Sequence, residues 1–183
     1  MEKKEPWCVD VEPLVDIGVF TPEEFQGASL ERLPPALLGA VRMLTEACQQ
    51  FNVIDTHSQF DDYQVLVLPD NIPVSPAFSQ QLRSYLSKGG GLIASYRSGL
   101  KDMGDDFALS EFGITCKGPA PYSPDFVIPT GQIGSGLPET EHVMYQRGLE
   151  VAALPGTQIL AEVAVPYFNR TYQHFCSHRH TPS

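Results

Sequence analysis

The chain has 183 residues, a 42% share of hydrophobic types and a formal net charge of −10. That length suits one domain with a buried core. The acidic balance denies nucleic acid and anionic membrane the basic patches they require, so neither is expected as a partner.

Met1-Glu2-Lys3-Lys4-Glu5-Pro6 has no apolar stretch behind it, and no later run approaches the roughly 20 apolar residues of a bilayer span. A leader is not expected, and a cytoplasmic location is favoured. Residues 1–11 read as a lead-in, and residues 12–182 as a single domain.

Val15 to Phe20 reads as a strand closed by Thr21-Pro22. Leu37, Val41, Leu44 and Cys48 then recur at steps of four, three and four, one face of a helix, with Pro34-Pro35 at its first turn. Phe51 to Thr56 is a second strand, and Asp61-Asp62-Tyr63 interrupts the chain. Val65-Leu66-Val67-Leu68 is apolar without alternation, as in a parallel strand covered on both faces.

Ser75-Pro76 opens a helix as cap and first residue, and Phe78, Leu82, Tyr85 and Leu86 form its inner face. Lys88-Gly89-Gly90-Gly91 stops it, with a glycine in the left-handed conformation. Leu92 to Tyr96 is expected as another buried strand. The order strand, helix, strand, strand, helix, strand implies right-handed parallel crossovers and a three-layer, doubly wound α/β sheet of flavodoxin-like type.

The second half is punctuated by Pro and Gly. A short helix is expected within 107–113. Short strands are expected at 114–117, 126–128, 142–145, 151–154 and 159–165, with a turn at Pro155-Gly156. They read as an antiparallel extension or a set of surface hairpins.

The four cysteines, Cys8, Cys48, Cys116 and Cys176, form no CxxC and are expected as free thiols, mostly buried. Cys48 in particular suits an apolar helix stripe.

Ligands of open α/β sheets bind at the carboxyl ends of the strands. Thr21-Pro22, Asp70-Asn71 and Ser95-Tyr96-Arg97-Ser98-Gly99 occupy that edge. Asp70, Asn71, Ser95, Tyr96, Arg97 and Ser98 are the candidate contacts for a ligand or a partner.

No catalytic residue is assigned. A nucleophile elbow needs Gly two residues before the Ser, and here Tyr96 precedes Ser98 and Ile93 precedes Ser95 in that place. Four of the five histidines lie beyond residue 140. A hydrolase using Ser98 or Ser95 with a tail histidine is the enzymatic alternative. A carbohydrate site using Tyr96 or Tyr122 with Asp70, Asn71 or Arg97 is another.

Gly89-Gly90-Gly91 precedes a strand and is no phosphate loop, and Gly131-x-x-Gly134-x-Gly136 opens no helix. His174, Cys176, His178 and His180 are weak zinc candidates, too close together for an ordinary structural site. No metal or cofactor is expected. The adjacent pairs Asp61-Asp62 and Asp105-Asp106 read as solvated turns rather than carboxylates facing each other across a substrate.

The run Phe51-Asn52-Val53-Ile54-Asp55, then Tyr63 to Asp70, Leu82 to Gly91 and Leu92-Ile93-Ala94-Ser95 resembles the trimerisation domain of family 42 β-galactosidases. Pro166 to Thr171 with His174 to His178 is similar to the end of that domain in glycosidase-like proteins. The resemblance implies a class I amidotransferase-like scaffold without its catalysis, since the elbow holds no Cys and the chain no His-x-Glu. It further implies an accessory, oligomerising role, trimeric in the intact protein, beside a catalytic barrel encoded elsewhere in a longer chain.

Overall fold

The computed structural model describes residues 2–27, 33–102, 104, 106–131 and 133–173. It divides into two compact units, Met1–Gly99 and Leu100–Ser183.

The first unit is built on a four-stranded parallel sheet of β1 (Ile17–Phe20), β2 (Phe51–Ile54), β3 (Val65–Leu68) and β4 (Gly91–Ala94), in the order β2-β1-β3-β4. The chain steps from β1 to one side and from β3 to the other, so the order reverses between those two strands. Right-handed crossovers in opposite directions place their helices on opposite faces of the sheet. This is the doubly wound α/β class expected from the element order.

A one-turn helix, α1 (Glu23–Gln26), follows β1. Helix α2 (Pro35–Glu46) starts on its two prolines and packs against β1, turning Leu37, Val41 and Leu44 inward. Cys48 departs from expectation. The helix ends two residues earlier, and Cys48 is exposed with φ +56°. The stripe carried one step too far because the backbone has already turned left-handed there.

Helix α3 (Pro76–Ser87) matches its sequence signals closely. The Ser75 hydroxyl accepts from the Phe78 N–H at 3.2 Å, and Gly89 takes φ +95° beyond the last turn. Its inner face buries Phe78, Leu82 and Tyr85, and Phe78 meets Phe20 of β1 and Phe60 in a cluster of rings 5.1 to 6.0 Å apart. β4, expected to be buried, lies at the sheet edge instead, and Ile93 is 57% exposed. An apolar tetrad fits an edge strand as well as a central one, so composition alone could not tell them apart.

The second unit holds two antiparallel sheets. β5 (Ile114–Pro119) pairs β8 (Leu149–Ala153), with an irregularity between Cys116 and Gly118. β6 (Asp125–Pro129) is the centre of a three-stranded sheet between β7 (His142–Met144) and β9 (Ala161–Ala164). The short helix expected within 107–113 is a 3-10 turn at Ser110–Phe112. Pro155-Gly156 forms its turn, with the Thr157 N–H donating to the Leu154 carbonyl at 3.1 Å and Gly156 at φ +91°.

The thiols are not mostly buried. Cys8 and Cys48 are exposed and Cys116 is half-buried, while Cys176 lies outside the described residues. Among the described residues no helix is long and apolar enough to cross a membrane.

Candidate functional site

The six candidate residues gather where the sequence puts them, at the carboxyl ends of the neighbouring strands β3 and β4. β3 delivers Pro69, Asp70 and Asn71, and β4 delivers Ser95 to Ser98. Two hydroxyls join the loops. The Ser98 Oγ donates to the Pro69 carbonyl at 2.9 Å and accepts from the Ile72 N–H at 2.9 Å. A further bond runs from the Gly99 N–H to the Ile72 carbonyl at 3.0 Å. Ser98 is 1% exposed, so this staple is sealed from water.

Above the staple sits the exposed pair. The Ser95 Oγ donates to Asp70 Oδ1 at 2.6 Å. A turn closed by the Ser98 N–H on the Ser95 carbonyl at 3.0 Å carries Tyr96 at φ +50° and Arg97 at its tip. Across from it Asn71 stands at φ +65°, its carbonyl accepting from Gln26 Nε2 at 3.4 Å. Two non-glycine residues in the left-handed region at one edge are costly, and such strain persists where the surroundings fix it. Tyr96 is 42% exposed and Arg97 is exposed. The result is a fixed polar and aromatic ledge suited to contact.

Among the described residues the ledge assembles no nucleophile with its base. The proton of Ser98 is committed to a carbonyl, and that of Ser95 to a carboxylate that no described imidazole is shown to contact. His57, the described histidine of this unit, follows β2, three strand spacings or roughly 14 Å from β4. His142, in the second unit, holds the Pro138 carbonyl at 3.1 Å. His174, Cys176, His178 and His180 lie outside the described residues, as does Asp105. Among the described residues no three His, Cys, Asp or Glu side chains group to hold a metal. Tyr122, offered as an alternative sugar-stacking residue, is half-buried in the second unit.

A cleft of about 720 Å³ opens in the first unit between the loop 56–61 and α3, running along the helix from Ser75 to Lys88. The sequence reading did not select it. Its side chains come from three segments, and no motif joins them.

The second unit has one polar knot of its own. Asp125 is buried, with Oδ2 accepting from the Gly148 N–H at 2.9 Å and Oδ1 without a partner among the described residues. Next to it Arg147 donates to the carbonyls of Ala120 at 2.6 Å and Pro121 at 2.9 Å. The Asn169 side chain accepts from the Ser123 N–H at 3.1 Å, which ties the segment 166–171 to the start of β6.

Residues 42–115 match the family model of the beta-galactosidase trimerisation domain. No curated protein matches the chain. Among solved structures, alpha-L-fucosidase isoenzyme 2 from Paenibacillus thiaminolyticus is 34% identical, over 99% of this chain and 28% of that one, with a TM-score of 0.86. Gan42B, a GH42 beta-galactosidase from G. stearothermophilus, is 17% identical over 92% of this chain and 26% of its own, with a TM-score of 0.67. The beta-galactosidase from Bacillus circulans sp. alkalophilus is 16% identical over 87% and 26%, with a TM-score of 0.62.

The chain therefore spans little more than a quarter of each solved structure named here. The segments that carried the trimerisation-domain resemblance, residues 51–55, 63–70, 82–91 and 92–95, fall inside the matched span. This is an accessory domain of the kind glycoside hydrolases carry.

Proposed function

We propose that the chain is a non-catalytic assembly domain of a longer glycoside hydrolase. In this reading it docks onto the parent's catalytic barrel and onto copies of itself, as a trimer. The supporting observation is the state of Ser98. At the place where a nucleophile elbow would present its reactive atom, the hydroxyl is sealed and spent on two backbone groups. The ledge around it, Asp70, Asn71, Ser95, Tyr96 and Arg97, then serves contact rather than chemistry.

The exposed apolar surface of the second unit supports the assembly role. Register puts Met144 and Val163 on one face of the three-stranded sheet, while Phe126 is buried on the other. Val163 is 58% exposed, and Tyr145 and Tyr167 are each 65% exposed. Apolar and aromatic patches of this kind mark interaction surfaces. The two units acting together as one accessory domain over residues 12–182 are part of this reading.

The substrate of the parent is inferred to be an α-L-fucoside. The support is the 34% identity to a fucosidase against 17% and 16% to galactosidases.

Sedimentation velocity of the parent polypeptide, with and without residues 12–182, tests the assembly role. Removal should lower the oligomeric state, since a stable contact buries on the order of 1,000 Å² or more. An unchanged state would remove the role. Hydrolysis by the parent of nitrophenyl α-L-fucoside in preference to nitrophenyl β-D-galactoside tests the substrate, and the reverse preference overturns it.

A further inference from the structure

The cleft between the loop 56–61 and α3 shares no lining residue with the ledge, and its construction is that of a ligand site. Its floor is aromatic. Phe60, Phe78 and Tyr85 are buried beneath it, and Phe25 stacks on Phe78 with centroids 6.2 Å apart and planes 23° from parallel. These rings belong to the core cluster, so the floor is rigid.

Its rim is polar, and beside Glu24, His57, Asp61 and Lys88 it carries neutral groups that can both donate and accept. α3 presents Gln80, Gln81 and Ser84 from its exposed side, and the facing loop presents Thr56, Ser58 and Gln59. Amides and hydroxyls in these numbers match a ligand that is itself both donor and acceptor at many points.

The loop is held in place before any ligand arrives. Asp55 Oδ1 accepts from the His57 N–H at 3.0 Å and the Ser58 hydroxyl at 2.9 Å. Glu24 takes both the N–H and the hydroxyl of Thr56. Gln81 Nε2 spans the cleft to the Thr56 carbonyl at 3.3 Å. A site fixed in this way loses little order on binding.

Charge narrows the class of ligand. Glu24 and Asp61 face the cleft and oppose an anion, while Lys88 opposes a cation and is itself bound to Asp61 at 2.5 Å. An apolar ligand would leave the rim amides unpaired, at a cost in desolvation. The volume lies within the roughly 300–1,000 Å³ usual for small-molecule sites. Beyond the Lys88–Asp61 pair a second hollow of about 660 Å³ continues past Tyr63, Gln64 and Gly89 to Gly91. Asp61, Tyr85 and Lys88 line both hollows.

We propose that this two-part groove binds a neutral oligosaccharide. A sugar ring packs against Phe25, the half-buried ring of the floor, its hydroxyls are met by Gln80, Gln81 and Ser84, and the chain of sugars passes the Lys88–Asp61 pair into the second hollow. The inference goes beyond the assembly role and does not depend on it, since a monomeric chain would keep the groove.

Titration of the isotope-labelled 183-residue chain with galactose, L-fucose and galactotetraose, followed by amide chemical shifts, tests it. Saturable shifts should centre on Gln59, Gln81 and Ser84. Affinity should be weak and millimolar for the monosaccharides, and about tenfold tighter for the tetrasaccharide. Ser84→Trp fills the groove from an exposed helix position, and the Gln80→Ala/Gln81→Ala double variant removes the amides without adding bulk. Each should weaken binding by about tenfold or more, while Tyr96→Ala on the ledge should leave it unchanged. Absence of saturable shifts with all three sugars overturns the proposal. So does unaltered binding by a folded groove variant, or galacturonate binding as tightly as galactose.

Discussion

The two units spend their apolar residues differently. Among the described residues, twelve of the sixteen buried apolar side chains lie before Gly99, the rings of Phe20, Phe60 and Phe78 among them. The second unit contributes Leu100, Leu109, Ala120 and Phe126, and exposes Tyr145, Val163 and Tyr167. A parallel sheet with a helix on each face buries both sides of its central strands, whereas an antiparallel sheet can leave one face open. The first unit is built to hold its own shape. The second has a thinner core behind the surface it exposes.

The sharpest way to break that contrast is to cut into both. Leu82 is fully buried on the inner face of α3, so Leu82→Ala should cost about 2–5 kcal/mol. Val163→Ala, on the open face of the second unit, should stay within about 0.5 kcal/mol. Urea unfolding followed by circular dichroism measures both. Equal losses would mean that the exposed face is already packed in solution.

A smaller effect probes how tightly the first unit is closed. A Cβ on Gly90 would lie 2.1 Å from Cζ of Tyr85, whose ring is buried and whose hydroxyl donates to the Gly91 carbonyl at 3.1 Å. The ring cannot step aside without losing both packing and that bond. Gly90→Ala should therefore destabilise by about 1–3 kcal/mol through overpacking. Gly39→Ala, on the exposed side of α2 with open space around it, should stabilise by up to about 1 kcal/mol. A shift of the same sign for both would show that Tyr85 has room to move.

Ser98 and Ser95 carry the same contrast down to one loop. Ser98→Ala leaves the Ile72 N–H and the Pro69 carbonyl short of a partner in a sealed place, and should cost about 1–3 kcal/mol. Ser95→Ala removes an exposed bond to Asp70 that water replaces, and should cost under about 0.5 kcal/mol. A larger loss from Ser95 would show the exposed pair, not the sealed hydroxyl, to be what holds the ledge.

The contrast between units also decides what the sequence disclosed. The first unit was legible because its signals agree. Ser75-Pro76 opens α3, Gly89 closes it, and the β-branched and aliphatic run Val65 to Leu68 between turn signals suits a covered strand. Cys48 and β4 were misread because periodicity does not report where a backbone turns or which strand ends up at an edge. In the second unit the strand positions were legible from Pro and Gly punctuation, but their pairing was not. β5 with β8 and β6 with β9 are long-range choices that no local residue encodes. The ledge was legible because the carboxyl edge of an α/β sheet is fixed by topology. The groove was not, since Glu24, Thr56 and Gln81 meet only in the fold.

The smallest expected effect lies in acid, and each unit has its own reporter. Asp106 accepts from the Cys116 N–H at 3.0 Å and the Phe107 N–H at 2.8 Å, and these bonds hold its carboxyl below the ordinary value of 3.8. Asp55 is lowered in the same way, first by the Ser58 hydroxyl and then by the His57 N–H. A lowered carboxylate binds fewer protons folded than unfolded, so its stabilisation is complete above 3.8 and is lost as pH falls through the lower folded value. Wild type should therefore exceed Asp106→Ala in urea midpoint at neutral pH by a constant margin. That margin should shrink below 3.8 and vanish in stronger acid, and Asp55→Ala should behave alike. A margin that survives undiminished at about pH 2 would mean that the side chain acts by filling space rather than by accepting as an anion. Because both groups are half-buried and still reached by water, the effect is modest. It still separates the units: Asp55 fixes the loop that forms the groove, whereas Asp106 fixes the start of β5. Acid should thus loosen sugar contact through Asp55, while Asp106→Ala leaves that contact untouched.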